Sequence, residues 1–269
     1  MQFSSIMKNE DIFGGKMNLY SNREEDGITF NQQSQVYFSQ CTKNRTLSIN
    51  ELLRLTSDIA VEEYRDCGLS REFLLEKGFA ILVSRVSFKI FRMPRENEKI
   101  CISTWEEKAE ALQLKRGYKI TCVDNKNEVL VLGLSAWLLV NPELRKIIPT
   151  KNFTLRNPSS IQREYPGEKL GKISIPQELT HLASRTIQFS DIDANGHTNN
   201  SRYASFIIDS LPEDFQNKDF TDLRLNYSKE AMLGQKLDIF ANIEPSLKQI
   251  TILGKTEEGT SFESVLRYR

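Results

Sequence analysis

Phe189-Ser-Asp-Ile-Asp-Ala-Asn-Gly-His-Thr-Asn-Asn-Ser-Arg-Tyr203 decides the fold, because the chain holds a second copy of its pattern. Moved forward by 151 positions, Phe38-Ser39 falls on Phe189-Ser190. Thr42, Asn44 and Thr46 then fall on Asp193, Asn195 and His197, and Leu52 and Leu55 on Tyr203 and Phe206. An offset of 137 aligns the segments beyond the helix in each half. Val86-x-Phe88-x-Ile90-x-Arg92 meets Leu223-x-Leu225-x-Tyr227-x-Lys229, with Met93 opposite Glu230 and Asn97 opposite Gly234. Each half reads as strand, loop, helix and then alternating strands.

The local signals agree. Ser48-x-x-Glu51 reads as a capping box that opens the first helix. Leu52, Leu55, Ile59 and Ala60 give that helix an apolar stripe, and Gly68 ends it. Period-two runs at 81–92, 99–107, 115–124 and 128–140 read as strands, with Asp124-Asn-Lys-Asn127 as a turn. Their counterparts are 221–230, 235–244, 248–256 and 260–269, with a turn at Glu258-Gly259. Helices followed by runs of antiparallel strands place the chain in the α+β class.

The loop 189–203 gathers Asp191, Asp193, Asn195, His197, Asn199 and Asn200, including one of only two histidines. Three readings compete. Asp191-x-Asp193-x-Asn195-Gly196 opens like a calcium loop, but the twelfth position is Arg202 where a bidentate Glu is required. Asp, Asn and Gly are also ordinary turn residues, and Asn199 or Asn200 could cap the following helix; this reading leaves the histidine unexplained. The third is a catalytic loop, in which side chains and free N–H groups at a helix entry converge on one reacting point. The first half carries Thr42, Thr46 and Met93 where the second carries Asp193, His197 and Glu230, so a site built from these residues occurs once.

Composition narrows the classes. Lys and Arg number 36, as do Asp and Glu, so no global charge recruits nucleic acid or an anionic membrane. No apolar run spans a bilayer and no signal pattern opens the chain. Cys41, Cys67, Cys101 and Cys122 lack C-x-x-C spacing, and two histidines make a His/Cys metal cluster improbable. Reduced thiols in a cytosol fit that usage. Residues 144–172 carry seven Lys/Arg against two Glu, which reads as a solvated linker or as a landing surface for an acidic partner. Residues 1–29 read as a poorly ordered extension, with Met7 and Met17 as alternative starts. Trp105 and Trp137 read as core, and His181 as a solvated loop residue.

Asp193-x-Asn195-x-His197-x-Asn199-Asn200, with Tyr203 behind it, resembles the active-site motif of the acyl-acyl carrier protein thioesterases, hotdog-fold enzymes of plants and bacteria. Leu225-Asn-Tyr227-Ser-Lys-Glu230-Ala231 is similar to the family's strand segment, whose Glu is proposed to act in catalysis. The helix 48–67, Ser103-Thr-Trp105, and Ser135-Ala-Trp137-Leu-Leu-Val-Asn141 leading to Ile147-Ile-Pro149 extend the resemblance from about residue 35 to the end. It implies a double hotdog: two tandem repeats, each a long helix wrapped by a curled antiparallel sheet. On this expectation 1–29 is an extension, 30–150 the N-terminal repeat that shapes an acyl-chain pocket, 151–177 a linker, and 178–269 the repeat that carries catalysis.

The implied reaction is hydrolysis of acyl-acyl carrier protein to free fatty acid, in the cytoplasm, with carrier protein as partner and no cofactor or metal. Asp193, Asn195, His197 and Glu230 are the expected catalytic residues, and Gly196, Asn199 and Asn200 the expected substrate-binding ones. A carboxylate in a partly apolar pocket can serve as general base, a role given to Glu230. His197 could orient the water or protonate the leaving thiolate, and Asn195 could fix the water or the thioester oxygen. Asp193 could position a neighbour or hold the turn. Plant members often carry Cys after the Glu; Ala231 stands there, so no thiol can attack from that position. An acyl-coenzyme A thioesterase and a non-catalytic acyl-binding protein are the alternatives. A double hotdog is already a dimer in one chain, and homodimerisation through sheet edges stays open.

Overall fold

The computed structural model describes residues 21–125 and 128–269. The chain runs β1 (Ser21–Arg23), β2 (Phe30–Gln35), α1 (Ile49–Asp66), α2 (Arg71–Glu76), β3 (Ala80–Ile90), β4 (Lys99–Glu107), β5 (Leu114–Cys122), β6 (Val129–Asn141) and β7 (Lys146–Ile147). It continues through β8 (Thr180–Thr186), α3 (Arg202–Ser210), α4 (Glu213–Gln216), β9 (Phe220–Tyr227), β10 (Lys236–Glu244), β11 (Gln249–Thr256) and β12 (Gly259–Tyr268). The strands form one sheet in the order β1-β2-β4-β5-β6-β3-β9-β12-β11-β10-β8, with β7 paired to β6. From β2 to β3 and from β8 to β9 the order is the same, reflected about the β3–β9 junction.

The repeat holds atom by atom. Single 3₁₀ turns occupy Phe38–Gln40 and Phe189–Asp191. Thr42 N–H donates to Thr46 C=O as Asp193 N–H donates to His197 C=O. Leu47 N–H reaches Pro94 C=O as Thr198 N–H reaches Ala231 C=O, and Asn97 N–H reaches Val36 C=O as Gly234 N–H reaches Ile187 C=O. Both offsets are therefore real registers. The left-handed positions also coincide: Arg45 (φ 59°) with Gly196 (83°), and Asn97 (64°) with Gly234 (83°).

Helix α1 packs on β4 and on α3. It buries Leu52, Leu53, Thr56, Ile59, Ala60 and Glu63, the spacing of one helix face. Gly68 (φ 77°) closes it, as expected. The expected capping box does not form. Ser48 Oγ donates instead to Gln40 C=O (2.9 Å), and Glu51 accepts from Gln40 and Arg54, so both partners are spent tying the preceding turn and the next helical turn. The second repeat's helix is shorter than its counterpart, nine residues against eighteen, because Leu211-Pro212 turns the chain into α4.

Two segments expected to be loose are fastened. Residues 21–23 of the expected extension pair with β2, while 1–20, including Met7 and Met17, lie outside the described residues, as do 126–127 of the expected turn. The segment 151–177 is a strap across the sheet rather than a solvated tether. Lys108 N–H donates to Ile161 C=O, Arg163 lies 4.2 Å from the Trp105 ring, and Ser87 Oγ donates to Glu168 C=O at 2.6 Å. Arg224 pairs with Glu168 and, with Asn226, caps Gly171 C=O. Arg116 points to α1 and its neighbour Gly117 lies under Trp105, so residues 161–172 of the strap cover the face opposite the helices, while its Phe153 and Arg156 still pack on the helix side.

One buried carboxylate joins four segments. Glu63 of α1 has no solvent exposure and accepts from Arg116 of β5 (2.9 Å), Arg156 of the strap (2.8 Å) and Arg23 of β1 (3.1 Å). Burial pushes its pKa up, but the hydrogen bonds from Arg156 and the charges of Arg116 and Arg156 outweigh it and hold the group at about 2, below the ordinary 4.5. A folded-state value below the unfolded one means stability present at neutral pH and lost as pH falls from 4.5 through about 2, of the order of 3 kcal/mol. Glu63→Ala takes the shared partner from three guanidinium groups, leaving buried Arg116 with only Glu106 at 3.6 Å, and is expected to cost about 3–5 kcal/mol in urea denaturation at pH 7. Its stability should also lose the steep acid dependence over that window; a variant with the parent's acid profile would show that the knot does not govern it.

Candidate active site

The helix-entry loop of the second repeat is built on Asp191. This fully buried carboxylate accepts from Gln188 N–H (3.0 Å), from Arg202 (2.8 and 2.9 Å) and from Arg185 (3.3 Å). Burial raises its pKa, but the Gln188 amide, Arg202 and Arg185 outweigh that and hold it below the usual carboxylate range. Arg202, which spoils the calcium pattern, thus anchors the loop instead. Asp193 Oδ1 accepts from Asn195 N–H at 2.8 Å, an Asx turn that Gly196 completes at φ 83°. No group of three or more His, Cys, Asp or Glu among the described residues is placed to hold a metal.

The turn delivers His197 to Glu230: Nδ1 lies 3.1 Å from Oε1. Their backbones are tied by the next residues along. Thr198 N–H and Oγ–H both donate to Ala231 C=O, at 3.1 and 2.6 Å. Ala231 N–H donates to the Tyr203 phenol oxygen at 3.1 Å. Ser261 Oγ–H donates to Lys229 C=O (2.9 Å) and lies 3.3 Å from that phenol. The Tyr227 hydroxyl donates to Asn200 C=O at 3.1 Å; burial first, then the neighbouring Tyr203, raises its pKa and keeps it a neutral donor. Tyr203 itself packs edge-on against Phe206, Tyr227 and Phe262.

Two expectations, both about Glu230, need correction. Glu230 is not on a strand: β9 ends at Tyr227, and the chain turns through Gly234 into β10, so the face assigned by alternation does not exist there. Glu230 is not in an apolar pocket either, since its side chain is 50% exposed and meets the imidazole of His197, 27% exposed. Asn199 makes the helix-entry cap that its place in the sequence offered: its Oδ1 accepts from Ser201 N–H and Oγ–H. Asn195 faces a partner the sequence did not suggest. Its Oδ1 accepts from Arg71 of α2 at 2.7 Å, across 124 residues of chain.

The first repeat shows what the same frame holds without this chemistry. Arg45 pairs with Glu96 at 2.6 Å, and Arg92 bridges Glu98 and Glu128. A polar cleft of about 510 Å³ opens there, lined by Arg92, Arg95, Glu96, Asn97, Glu98 and Glu128. Its cations and carboxylates largely neutralise one another, and Met93 stands in the Glu230 position.

The family model described as "Acyl-ACP thioesterase N-terminal domain" matches residues 27–153, and "Acyl-ACP thioesterase C-terminal domain" matches 177–268. Among curated proteins the chain is similar to the chloroplastic acyl-[acyl-carrier-protein] hydrolase FATB2 of Cuphea viscosissima, 23% identical over 235 residues, covering 82% of this chain and 57% of that protein. It is also similar to oleoyl-acyl carrier protein thioesterase 2 of Arabidopsis thaliana, at 20% identity, covering 88% and 69%. The chain spans a little over half the length of the first of these. In fold it is similar to an acyl-ACP thioesterase from Bacteroides thetaiotaomicron (TM-score 0.81, 24% identity, covering 92% of this chain and 100% of that one). The 12:0-ACP thioesterase from Umbellularia californica is similar too (TM-score 0.74, 16% identity, covering 90% and 97%). These likenesses show the double hotdog fold.

Tyr203→Phe removes the acceptor of a buried amide while keeping the ring. It is expected to cost about 1–3 kcal/mol in chemical denaturation, because Ala231 N–H is left without a partner. Unchanged stability would mean that this phenol does not hold the Glu230 loop.

Proposed function

The chain belongs to the acyl-ACP thioesterase family, and from that premise we propose that it hydrolyses acyl-acyl carrier protein thioesters to free fatty acid and carrier protein. The observation that carries the proposal is the 3.1 Å contact between His197 Nδ1 and Glu230 Oε1, made by residues from a helix-entry loop and from the turn after β9. No second pair of this kind occupies the first repeat, where Thr46 and Met93 stand at the same places.

We read the roles from that contact. In this reading Glu230 accepts from Nδ1–H of the neutral imidazole, which leaves the lone pair on Nε2. Nε2 makes no hydrogen bond among the described residues. His197 therefore takes the proton of a water molecule as its oxygen attacks the thioester carbonyl carbon, and Glu230 orients the ring and stabilises the imidazolium. The logic is that of a base held by a partnered acid. The carbonyl π pair moves onto oxygen, where the Asn195 N–H₂ group and backbone N–H groups of the turn can receive the charge. Collapse of that intermediate breaks the C–S bond, and the leaving sulfur takes the proton from Nε2. The products are a carboxylic acid and a thiol. Glu230, expected as the base itself, lacks the desolvation that role needs, so it is better read as the group that orients one. Asp193 acts on the turn through Asn195 N–H rather than on the substrate.

Ala231 is fully buried and its backbone is bonded to Thr198 and Tyr203, so the position after Glu230 serves the scaffold. No helix among the described residues is long and apolar enough to cross a membrane. We place the reaction in the cytoplasm, with the carrier-protein pool. Pairing of copies would use β1 or β8, the strands at the two ends of the sheet.

The test is release of free thiol from a panel of acyl-carrier-protein thioesters. His197→Ala and Glu230→Ala should each lower kcat by about 10²–10⁴-fold. Unchanged rates in both variants would overturn the site. Faster turnover of acyl-coenzyme A, without the salt sensitivity expected for docking an acidic protein, would instead reassign the substrate handle.

A further inference from the structure

We infer that Arg71 is a positioning residue of this site: it sets the Asn195 carboxamide so that its N–H₂ group, and not its oxygen, is presented to the substrate. The inference rests on the proposed role of Asn195 and extends it to a residue of the other repeat. Arg71 Nη2 lies 2.7 Å from Asn195 Oδ1. A guanidinium can only donate, so the atom facing it must be the amide oxygen, and the two amide ends are assigned by chemistry. With the oxygen engaged, the end left for a ligand is the donor. A cation on the carbonyl oxygen also polarises the amide and makes its N–H groups stronger donors. Such a donor suits a developing oxyanion and is poorly suited to accepting a proton from water.

The molecule contains its own control. Asn44 occupies the same place in the first repeat, in a turn with the same backbone bonds, and its N–H is likewise capped by the side chain two residues earlier, Thr42. Among the described residues no side chain holds the Asn44 carboxamide. The turn therefore forms without a guanidinium, and Arg71 is not needed to shape it. What distinguishes the second turn is His197. Arg71 is held in place by its own element: Ser70 caps α2 through Phe73 N–H at 3.2 Å, and Leu74 is buried against Leu69, Leu139 and Phe153. The first repeat thus supplies one fixed charge to a site whose other residues all belong to the second.

The experiment is a double-mutant cycle on kcat and KM, using the acyl-carrier-protein thioester turned over fastest in the panel. Asn195→Ala should lower kcat on the order of 10²-fold, as loss of an oxyanion donor does. Arg71→Ala should lower kcat about tenfold with KM little changed, as misorientation of a donor does. The thermal midpoint should stay at the parent value, since the contact is exposed. Arg71→Lys should restore part of the rate, and Arg71→Ala/Asn195→Ala should be no slower than Asn195→Ala alone. The inference is overturned if Arg71→Ala leaves kcat unchanged while Asn195→Ala lowers it, if the double variant loses the product of the two single effects, or if Arg71→Ala acts on KM alone. If Asn195→Ala is itself fully active while His197→Ala is not, the role given to Asn195 falls and this inference falls with it. Full activity in both would sink the functional reading as a whole.

Discussion

The pairing of β3 with β9 is the constraint on which the rest of the structure depends. Arg85 to Lys89 run antiparallel to Asn226 to Asp222, so each repeat supplies a whole edge to the other and the two sheets become one. Lys89 and Asp222 close the end of the seam with an ion pair at 3.0 Å. The seam puts both helices on the same face, where α1 and α3 pack together over a continuous core from Val86, Phe88 and Ile90 to Leu223, Leu225 and Leu266. It leaves the opposite face for the strap, which crosses the seam and fastens to both sides of it through Ser87 and Arg224. The seam also ends short of the chemistry. β9 stops at Tyr227, and the three residues beyond it carry Glu230 out of the ladder to the histidine.

Much of this was legible in the amino-acid pattern, and the reason is periodicity. Strand runs such as 99–107 and 235–244 alternate because one side meets the core, and a stripe such as Leu52, Ile59 and Ala60 recurs because a helix shows one face to it. The two registers were legible because the polar spacing of the turn and the apolar spacing behind it recur together, from Phe38-Ser39 to Leu55 and again from Phe189-Ser190 to Phe206. The residues that failed the reading failed for a shared reason. Ser48 and Glu51 are polar groups with more than one available partner, and local spacing does not say which partner wins. Ser48 turned to Gln40 because that carbonyl needed a donor where the loop enters α1.

Long-range charge was illegible altogether. Nothing near Glu63 in the chain announces three arginines, since Arg23, Arg116 and Arg156 arrive from β1, β5 and the strap. The single available hint is a glutamate on the buried face of an amphipathic helix, a position where an acid requires partners. Arg71 gave no hint, because it lies 124 residues from Asn195 and on a six-residue helix with an ordinary cap. The basic segment 144–172 is a further case. Its excess of positive charge is partly internal to the fold, with Arg156 consumed by Glu63 and Arg163 by Asp26 and Trp105.

Comparison of the two halves separates what the fold requires from what chemistry requires. Backbone bonds, turn conformations and the exposed aromatics Phe38 and Phe189 are common to both, so they belong to the frame. The groups that differ at the reacting end are Asp193 for Thr42, His197 for Thr46, Glu230 for Met93, and a guanidinium on one asparagine but not on the other, while beneath the loop Asp191 and Arg202 replace Gln40 and Glu51. The first half uses its version of the frame to neutralise charge, placing Arg45 on Glu96 and Arg92 on Glu98 and Glu128. The second leaves an imidazole nitrogen and an amide N–H₂ without partners among the described residues, at the surface, beside a carboxylate. Water solvates both groups until a substrate displaces it, and the frame around them keeps them in place for that exchange. Two supports hold them: the Tyr203 phenol of α3 under the Glu230 turn, and the Arg71 guanidinium of α2 on the Asn195 carboxamide.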